Sequence, residues 1–300
     1  MNLTYTGVYV HHKEHIIVPS IIDEFEDDNR DHGIVLHFIE EEWAQHLIDD
    51  NSICGVTSIH EPQTKFFVAG VDGRIDIADK SGPSQEFVDQ SDRRPDYSKT
   101  IRCIKRIGDK IYATGMARQV YVRNQDNKWS QLDKGVYVPS GQMENVSGFL
   151  DIDGYQNGIL YAVGYEGEIF FFDGKNWTQE DSITNVALTC MKVLSEEDVV
   201  IAGMAGVIIR GSHGKWKVIE HEETKEDFWG VTTFQSKIYL SNYEGIFILD
   251  GESLSKIDMN MPSDFTTAYI DSADGIICSV GQKNIALSTD GIHWNEIEGP

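Results

Sequence analysis

No stretch of this chain approaches the ~20 consecutive apolar residues that a membrane-spanning helix needs. Proline is sparse, at 7 of 300 residues, which excludes a Pro-rich stalk or linker. Only 4 cysteines are present, Cys54, Cys103, Cys190 and Cys278. They lie far apart, form no C-x-x-C pair and sit in the apolar contexts SICGV, IRCIK, LTCMK and IICSV. That placement predicts buried reduced thiols, not a disulfide frame or a zinc site. Basic residues are outnumbered, 25 Lys plus Arg against 49 acids, for a formal net charge of −24. Such a charge repels phosphate backbones, so no nucleic-acid partner is expected. The opening MNLTYTGVYVHHKEH lacks a basic segment followed by an apolar one, which predicts no secretory signal and a cytoplasmic protein. G-x-S-x-G, H-E-x-x-H and phosphate-binding glycine loops are absent too.

What the chain does have is glycine, 27 residues, and enough apolar (40%) and aromatic (10%) side chains to build a packed core. These are arranged in a repeat. The segments FFVAGVDG, IYATGMAR, LYAVGYEG, VVIAGMAG, IYLSNYEG and IICSVGQK align on Gly70, Gly115, Gly164, Gly203, Asn242 and Gly281, with spacings of 45, 49, 39, 39 and 39 residues. Trp129 follows its anchor by 14 residues, and Trp177, Trp216 and Trp294 each by 13; Leu254 takes that place 12 residues after Asn242. Within each unit, short runs of β-branched and aromatic residues alternate with polar turns. That is the mark of antiparallel strands.

Four strands per ~40–50 residues is the unit of a β-propeller blade. The predicted fold is an all-β, seven-bladed propeller of four-stranded antiparallel blades, in one domain over residues 1–300, with six blades as the alternative. The blades fall at about 4–49, 52–90, 100–133, 146–181, 187–220, 228–258 and 266–298. The first is the most diverged. YTGVYVHH, EHIIVPS, GIVLHFIE and EWAQHLI supply its strands, with Trp43 in the usual place. Because each chain end carries a whole blade, the two ends are expected not to share a strand.

The pattern A-V-G-x-x-G followed by an apolar strand, Asp-Gly and Trp resembles bacterial β-propeller repeats of the Asp-box and photosystem-assembly-factor-like superfamily. Ser288 to Trp294, STDGIHW, resembles a shortened Asp-box. The resemblance covers the chain from about residue 53 and implies a fold without implying a chemistry, since this superfamily holds both enzymes and binding scaffolds. The repeat also assigns roles. The anchor glycines turn a crowded strand and tolerate positive φ, the tryptophans pack between neighbouring blades, and Asp173, Asp250 and Asp290 cap their hairpins.

Candidate chemistry is thin. A sialidase would need arginines converging on a carboxylate, yet the arginines concentrate in two blades. No pair of glycosidase carboxylates can be picked out of 49 acids. DIDGYQNG, Asp151 to Gly158, has the D-x-D-G of a calcium loop but no closing glutamate, and reads as a hairpin turn. His11, His12 and His15 have the residue type for a transition metal. Strand alternation is expected to split His11 from His12 onto opposite faces, which leaves a surface cluster and no metal. DEFEDDNRD, Asp23 to Asp31, reads as a solvated acidic loop or a docking surface for a basic protein.

Propeller connectivity places two sets of loops on one face: those between second and third strands, and those leading into the next blade. Their Tyr, Trp, Met, Arg and acidic residues are the candidate partner-binding set: Arg93, Arg94, Tyr97, Met116, Arg118, Tyr137, Tyr165, Glu166, Met204, Phe228, Trp229, Tyr243 and Glu244. Plugging of a central channel by these aromatics is the alternative. The function expected is non-enzymatic protein binding by a monomer. In its sharpest form this is a bacterial immunity protein that neutralises a basic toxin enzyme, with no nucleic acid, membrane, cofactor, metal or catalytic residue involved. A glycan-processing enzyme or lectin at the channel mouth, and a complex-assembly factor, are the alternatives.

Overall fold

The computed structural model describes residues 1–300 except 28–29, 61, 90–100, 125, 140, 143–145 and 156. It is a seven-bladed β-propeller of antiparallel blades. Blade 2 spans 53–87, blade 3 101–131, blade 4 149–179, blade 5 188–218, blade 6 230–256 and blade 7 269–297, each as four strands paired in sequence order. Each of these sheets comes from one contiguous segment, so among the described residues no strand of one chain end joins a sheet of the other.

Blade 1 departs from the expected pattern. Its first strand is broken into Leu3–Tyr5 and Tyr9–His12, both paired with His15–Ile22, and His32–Ile39 and Glu42–Asp49 complete the sheet. Tyr5 pairs with Ser20 and Tyr9 with Ile17, so the break lies opposite Val18 and Pro19. Proline has no N–H to offer a ladder, and pairing lapses where one would be needed. The acidic segment is not wholly a loop. Asp23–Asp27 forms a short helix, Phe25 packs against the core, and the Arg30 guanidinium sits 4.3 Å from the Phe25 ring centroid.

By contact density the chain falls into two compact units, 1–52 with 202–209 and 218–300, and 53–201 with 210–217. In the first unit, Leu3, Tyr5, Val10, Ile16 and Leu36 of blade 1 share one core with Ile276, Cys278, Val280 and Ile285 of blade 7. Backbone groups tie the same blades together: Tyr5 N–H donates to Gln282 O at 3.0 Å, and Val10 N–H donates to Asp271 Oδ2 at 2.8 Å. In the second unit, Phe67, Ile75, Ile104 and Tyr121 form a core between blades 2 and 3, and Val120, Phe149, Phe170 and Trp177 one between blades 3 and 4. Burying side chains of this size contributes about 1.5–3 kcal/mol each, before ordering costs.

The repeated tryptophans reach back to the preceding blade. Trp129 Nε1 donates to Glu86 Oε2 at 2.9 Å, Trp177 Nε1 to Leu132 O at 2.7 Å, and Trp216 Nε1 to Glu180 Oε2 at 3.0 Å. Trp43 Nε1 donates to Glu298 O at 2.8 Å, so blade 1 applies the same device to blade 7. Of the two reasons expected for the anchor glycines, crowding holds and positive φ does not. Gly115, Gly164 and Gly203 have φ of −174°, −170° and −167°, an extended backbone open to any residue. Crowding is the constraint, since a Cβ on Gly164 would lie 1.9 Å from Gly148 O. Asn242 stands in for an anchor glycine by closing the turn with its amide, whose Oδ1 accepts from Glu244 N at 2.9 Å and Gly245 N at 3.1 Å.

Candidate functional site

In the second unit, the turns after the second strands of blades 3 and 4 are single 3-10 turns, Met116–Arg118 and Tyr165–Gly167. Each closes by an i to i+3 bond, Gln119 N to Met116 O at 3.3 Å and Glu168 N to Tyr165 O at 3.1 Å. Their central residues, Ala117 and Glu166, are held at φ 54° and 59°. A left-handed non-glycine costs about 1 kcal/mol and survives only where the surrounding sheet fixes it. The conformation lifts Glu166 into solvent, while Tyr165 and Met116 stay half-buried. Tyr137 is exposed. Arg118 is already engaged. Its Nε donates to Glu168 Oε2 at 3.0 Å, its Nη2 to Glu168 Oε1, and its guanidinium carbon lies 4.9 Å from the Phe170 ring centroid.

In the first unit, Met204–Gly206 repeats the same turn, with Ala205 at φ 55°. Ala205 N–H donates to Asp227 Oδ1 at 2.8 Å. Met204 and Tyr243 are half-buried, Glu244 is exposed, and Phe228 is fully buried against Phe247 at 5.6 Å between centroids. Trp229 lies 6.4 Å from the Tyr243 ring, and its buried indole Nε1 makes no hydrogen bond. Glu244 Oε2 accepts from Thr224 Oγ1 at 2.8 Å. Beside it opens a groove of about 440 Å³ lined by Glu244, Lys256, Asp258, Met259, Met261 and Phe265. Of the expected residues, Trp229, Tyr243 and Glu244 therefore cluster in this unit, and Tyr165 and Glu166 share one turn in the other. Arg93, Arg94 and Tyr97 lie outside the described residues.

The sequence reading missed how much of the acidity is spent inside the fold. Asp151 and Asp153 do not sit in a hairpin turn as expected; they belong to a strand, Phe149–Gly154, and are buried. Asp151 Oδ1 accepts from Lys105 Nζ at 2.7 Å and its Oδ2 from Met191 N at 2.9 Å, while Asp153 Oδ2 accepts from Val193 N at 2.9 Å. Glu180, also buried, accepts from Gly214 N at 2.6 Å and Trp216 Nε1 at 3.0 Å, with His213 Nδ1 at 2.7 Å. These acids bridge neighbouring blades, and for Asp151 and Asp153 one clue was their place in an apolar run, FLDIDG. Turn acids behave as expected at two sites. Asp173 Oδ1 accepts from Lys175 N and Asn176 N at 2.8 and 2.7 Å, and Asp290 Oδ1 from Ile292 N and His293 N at 2.8 Å each.

The histidines also depart from expectation. A bulge in the pairing between Val10 and His12 breaks the strand alternation. The rings of His11 and His12 consequently lie 5.0 Å apart between centroids, those of His11 and His15 5.5 Å, and those of His12 and His15 5.8 Å. His15 is buried, its Nε2 lies 3.0 Å from His37 Nδ1, and burial followed by the neighbouring His37, His11 and His12 lowers its pKa to about 4.

The chain is 31% identical over 297 residues to the immune protein Tsi7 of Pseudomonas aeruginosa, an alignment that covers 98% of this chain and 96% of that protein. No family model matches the chain. Among solved structures, the WD40 β-propeller domain of Doa1 superposes with a TM-score of 0.70 at 10% identity, covering 95% of this chain and 92% of that one. YCF48 from Cyanidioschyzon merolae superposes at 0.69 with 9% identity, covering 99% and 95%. Virginiamycin B lyase from Staphylococcus aureus, bound to quinupristin, superposes at 0.67 with 11% identity, covering 93% and 92%. At such identities these likenesses show the fold alone, and the resemblance drawn from the repeats holds at the level of the β-propeller.

Proposed function

This chain belongs to the family of the Pseudomonas aeruginosa immune protein Tsi7, and on that premise we propose that it is an immunity propeller that binds a toxin protein and blocks it. The observation that carries this reading is the alignment itself, which spans both chains almost end to end. We place the protein in the cytoplasm as a monomer, acting without a cofactor. The Asp290 turn supports a narrower kinship with Asp-box repeats.

Charge supports a basic partner. A net charge of −24 creates a field that steers a cationic protein toward it. Many acids are occupied between blades, so acids left on loops, Glu166 and Glu244 among them, are the ones a partner meets. Trp229 and Tyr243 offer aromatic area beside Glu244. Aromatic residues ringed by charge are the usual anchors of tight complexes.

The test is co-expression with candidate basic toxin effectors from the source organism, read as growth rescue, and kinetic binding of the purified pair. Rescue is expected, with a 1:1 complex whose association slows as salt rises. Glu166→Lys combined with Glu244→Lys should slow association by about tenfold or more, and Trp229→Ala should mainly speed dissociation. No complex and no rescue would overturn the reading. A complex unaffected by all three substitutions would move the binding surface elsewhere on the molecule.

A further inference from the structure

We propose that His11, His12 and His15 form a three-imidazole site for a divalent late-transition-metal ion such as Zn²⁺, which staples the two strands of the first hairpin of blade 1. One ring nitrogen from each histidine lies within 4.8 Å of the others. Around a tetrahedral zinc with bonds of about 2.0–2.1 Å, ligand nitrogens are roughly 3.3 Å apart, so small side-chain rotations at the half-buried His11 and His12 bring the set to bonding distance. The ligand type fits as well. Imidazole suits zinc, copper and nickel, and three of them with an open fourth position is a standard zinc arrangement.

The backbone is prepared for this. The bulge between Val10 and His12 turns His11 and His12 toward one side, and His12 pairs across the hairpin with His15. The hairpin is anchored on blade 7 through Val10 N to Asp271 Oδ2 at 2.8 Å and Lys13 N to Asp274 Oδ2 at 3.2 Å. Those carboxylates also add negative charge beside the site. His15 has a partner ring in His37, at 3.0 Å. A metal-bound histidine commonly gives its second ring N–H to such a neighbour, which fixes its tautomer and orientation. Strand spacing alone hides all this, because the bulge is what gathers the rings.

The experiment is zinc titration of the chelator-stripped full chain by calorimetry, with Co²⁺ as a spectroscopic probe and thermal unfolding as a third readout. One zinc per chain, visible Co²⁺ bands of tetrahedral intensity and a rise in Tm reversed by EDTA are expected. His11→Ala with His12→Ala should abolish all three, and His12→Gln alone should weaken zinc binding by about tenfold or more. His293→Ala, at an exposed histidine elsewhere, should leave zinc binding unchanged. Circular dichroism establishes that each variant is folded. No stoichiometric zinc in the wild-type chain, or zinc uptake equal to the wild type's by the folded double variant or by the folded His12→Gln variant, would overturn the proposal.

Discussion

Arg118 and Glu168, 50 residues apart in sequence, join blade 3 to blade 4 by a two-point ion pair, with Glu168 Oε2 3.0 Å from Arg118 Nε. The Glu168 side chain is 8% exposed and that of Arg118 24%, so the buried carboxylate is paired with a guanidinium that keeps some contact with water.

Replacing Arg118 by Ala strands a buried carboxylate. A loss of about 2–3 kcal/mol is expected, somewhat below that for a fully buried pair because Arg118 is partly solvated. Urea unfolding measures it. Arg118→Lys should recover only part of the loss, since an ammonium cannot reproduce the fork. A loss below about 0.5 kcal/mol would show the pair to be incidental.

Trp177 is 2% exposed and gives its indole N–H to the preceding blade, whereas Trp216 is half-buried. Trp177→Ala should cost about 3–5 kcal/mol in denaturant unfolding, more than Trp216→Ala. Trp177→Phe should cost about 1–3 kcal/mol, because most packing survives but Leu132 O loses its donor.

Four free thiols are present; Cys190 and Cys278 are buried as expected, whereas Cys54 and Cys103 are half-buried, and desolvation pushes Cys54 up to about 12 and Cys103 and Cys278 also well above the ordinary range. A thiol held protonated is a poor nucleophile. Native protein at pH 8 should react negligibly with a thiol-specific disulfide reagent at these three positions, and fully in guanidinium. Rapid native labelling of Cys54 would contradict the raised pKa of its thiol.

Asp290 is held well below the usual carboxylate range, chiefly by His293 and then by the backbone N–H groups of His293 and Ile292. A depressed native pKa adds stability above the unfolded value, and that stability is lost as pH falls through the native one. The difference in unfolding midpoint between wild type and Asp290→Ala should therefore be full at pH 6 and shrink below about pH 4. The effect will be small, because the turn is open to solvent. A difference that grows on acidification would contradict the assignment.

Much of the fold was legible because a blade is a local object. Each of blades 2–7 is a meander of four consecutive strands, so its turns, anchor and tryptophan recur at nearly fixed spacing whatever the rest of the molecule does. The errors came where a residue answers to a neighbouring strand or blade. Gly7 is the one local hint of a break at Thr6–Val8, and Pro19 on the facing strand makes it. Asp151-Ile-Asp153-Gly154 has turn composition, yet donors from blades 3 and 5 hold it in a strand.

The candidate site was legible by residue type and only partly by role. Phe228 looks like an exposed loop aromatic, but it is fully buried against Phe247, and Arg118 looks like a free cation. The sequence by itself determined the propeller repeat, the strand order within blades 2–7 and the acidity, because these depend on local periodicity and composition, while the structure settled seven blades over six. Only the tertiary structure decided which acids bridge blades, which loop residues remain for a partner and that three histidines meet. Those outcomes depend on inter-blade packing and on one bulged residue, and neither leaves a periodic trace in the chain.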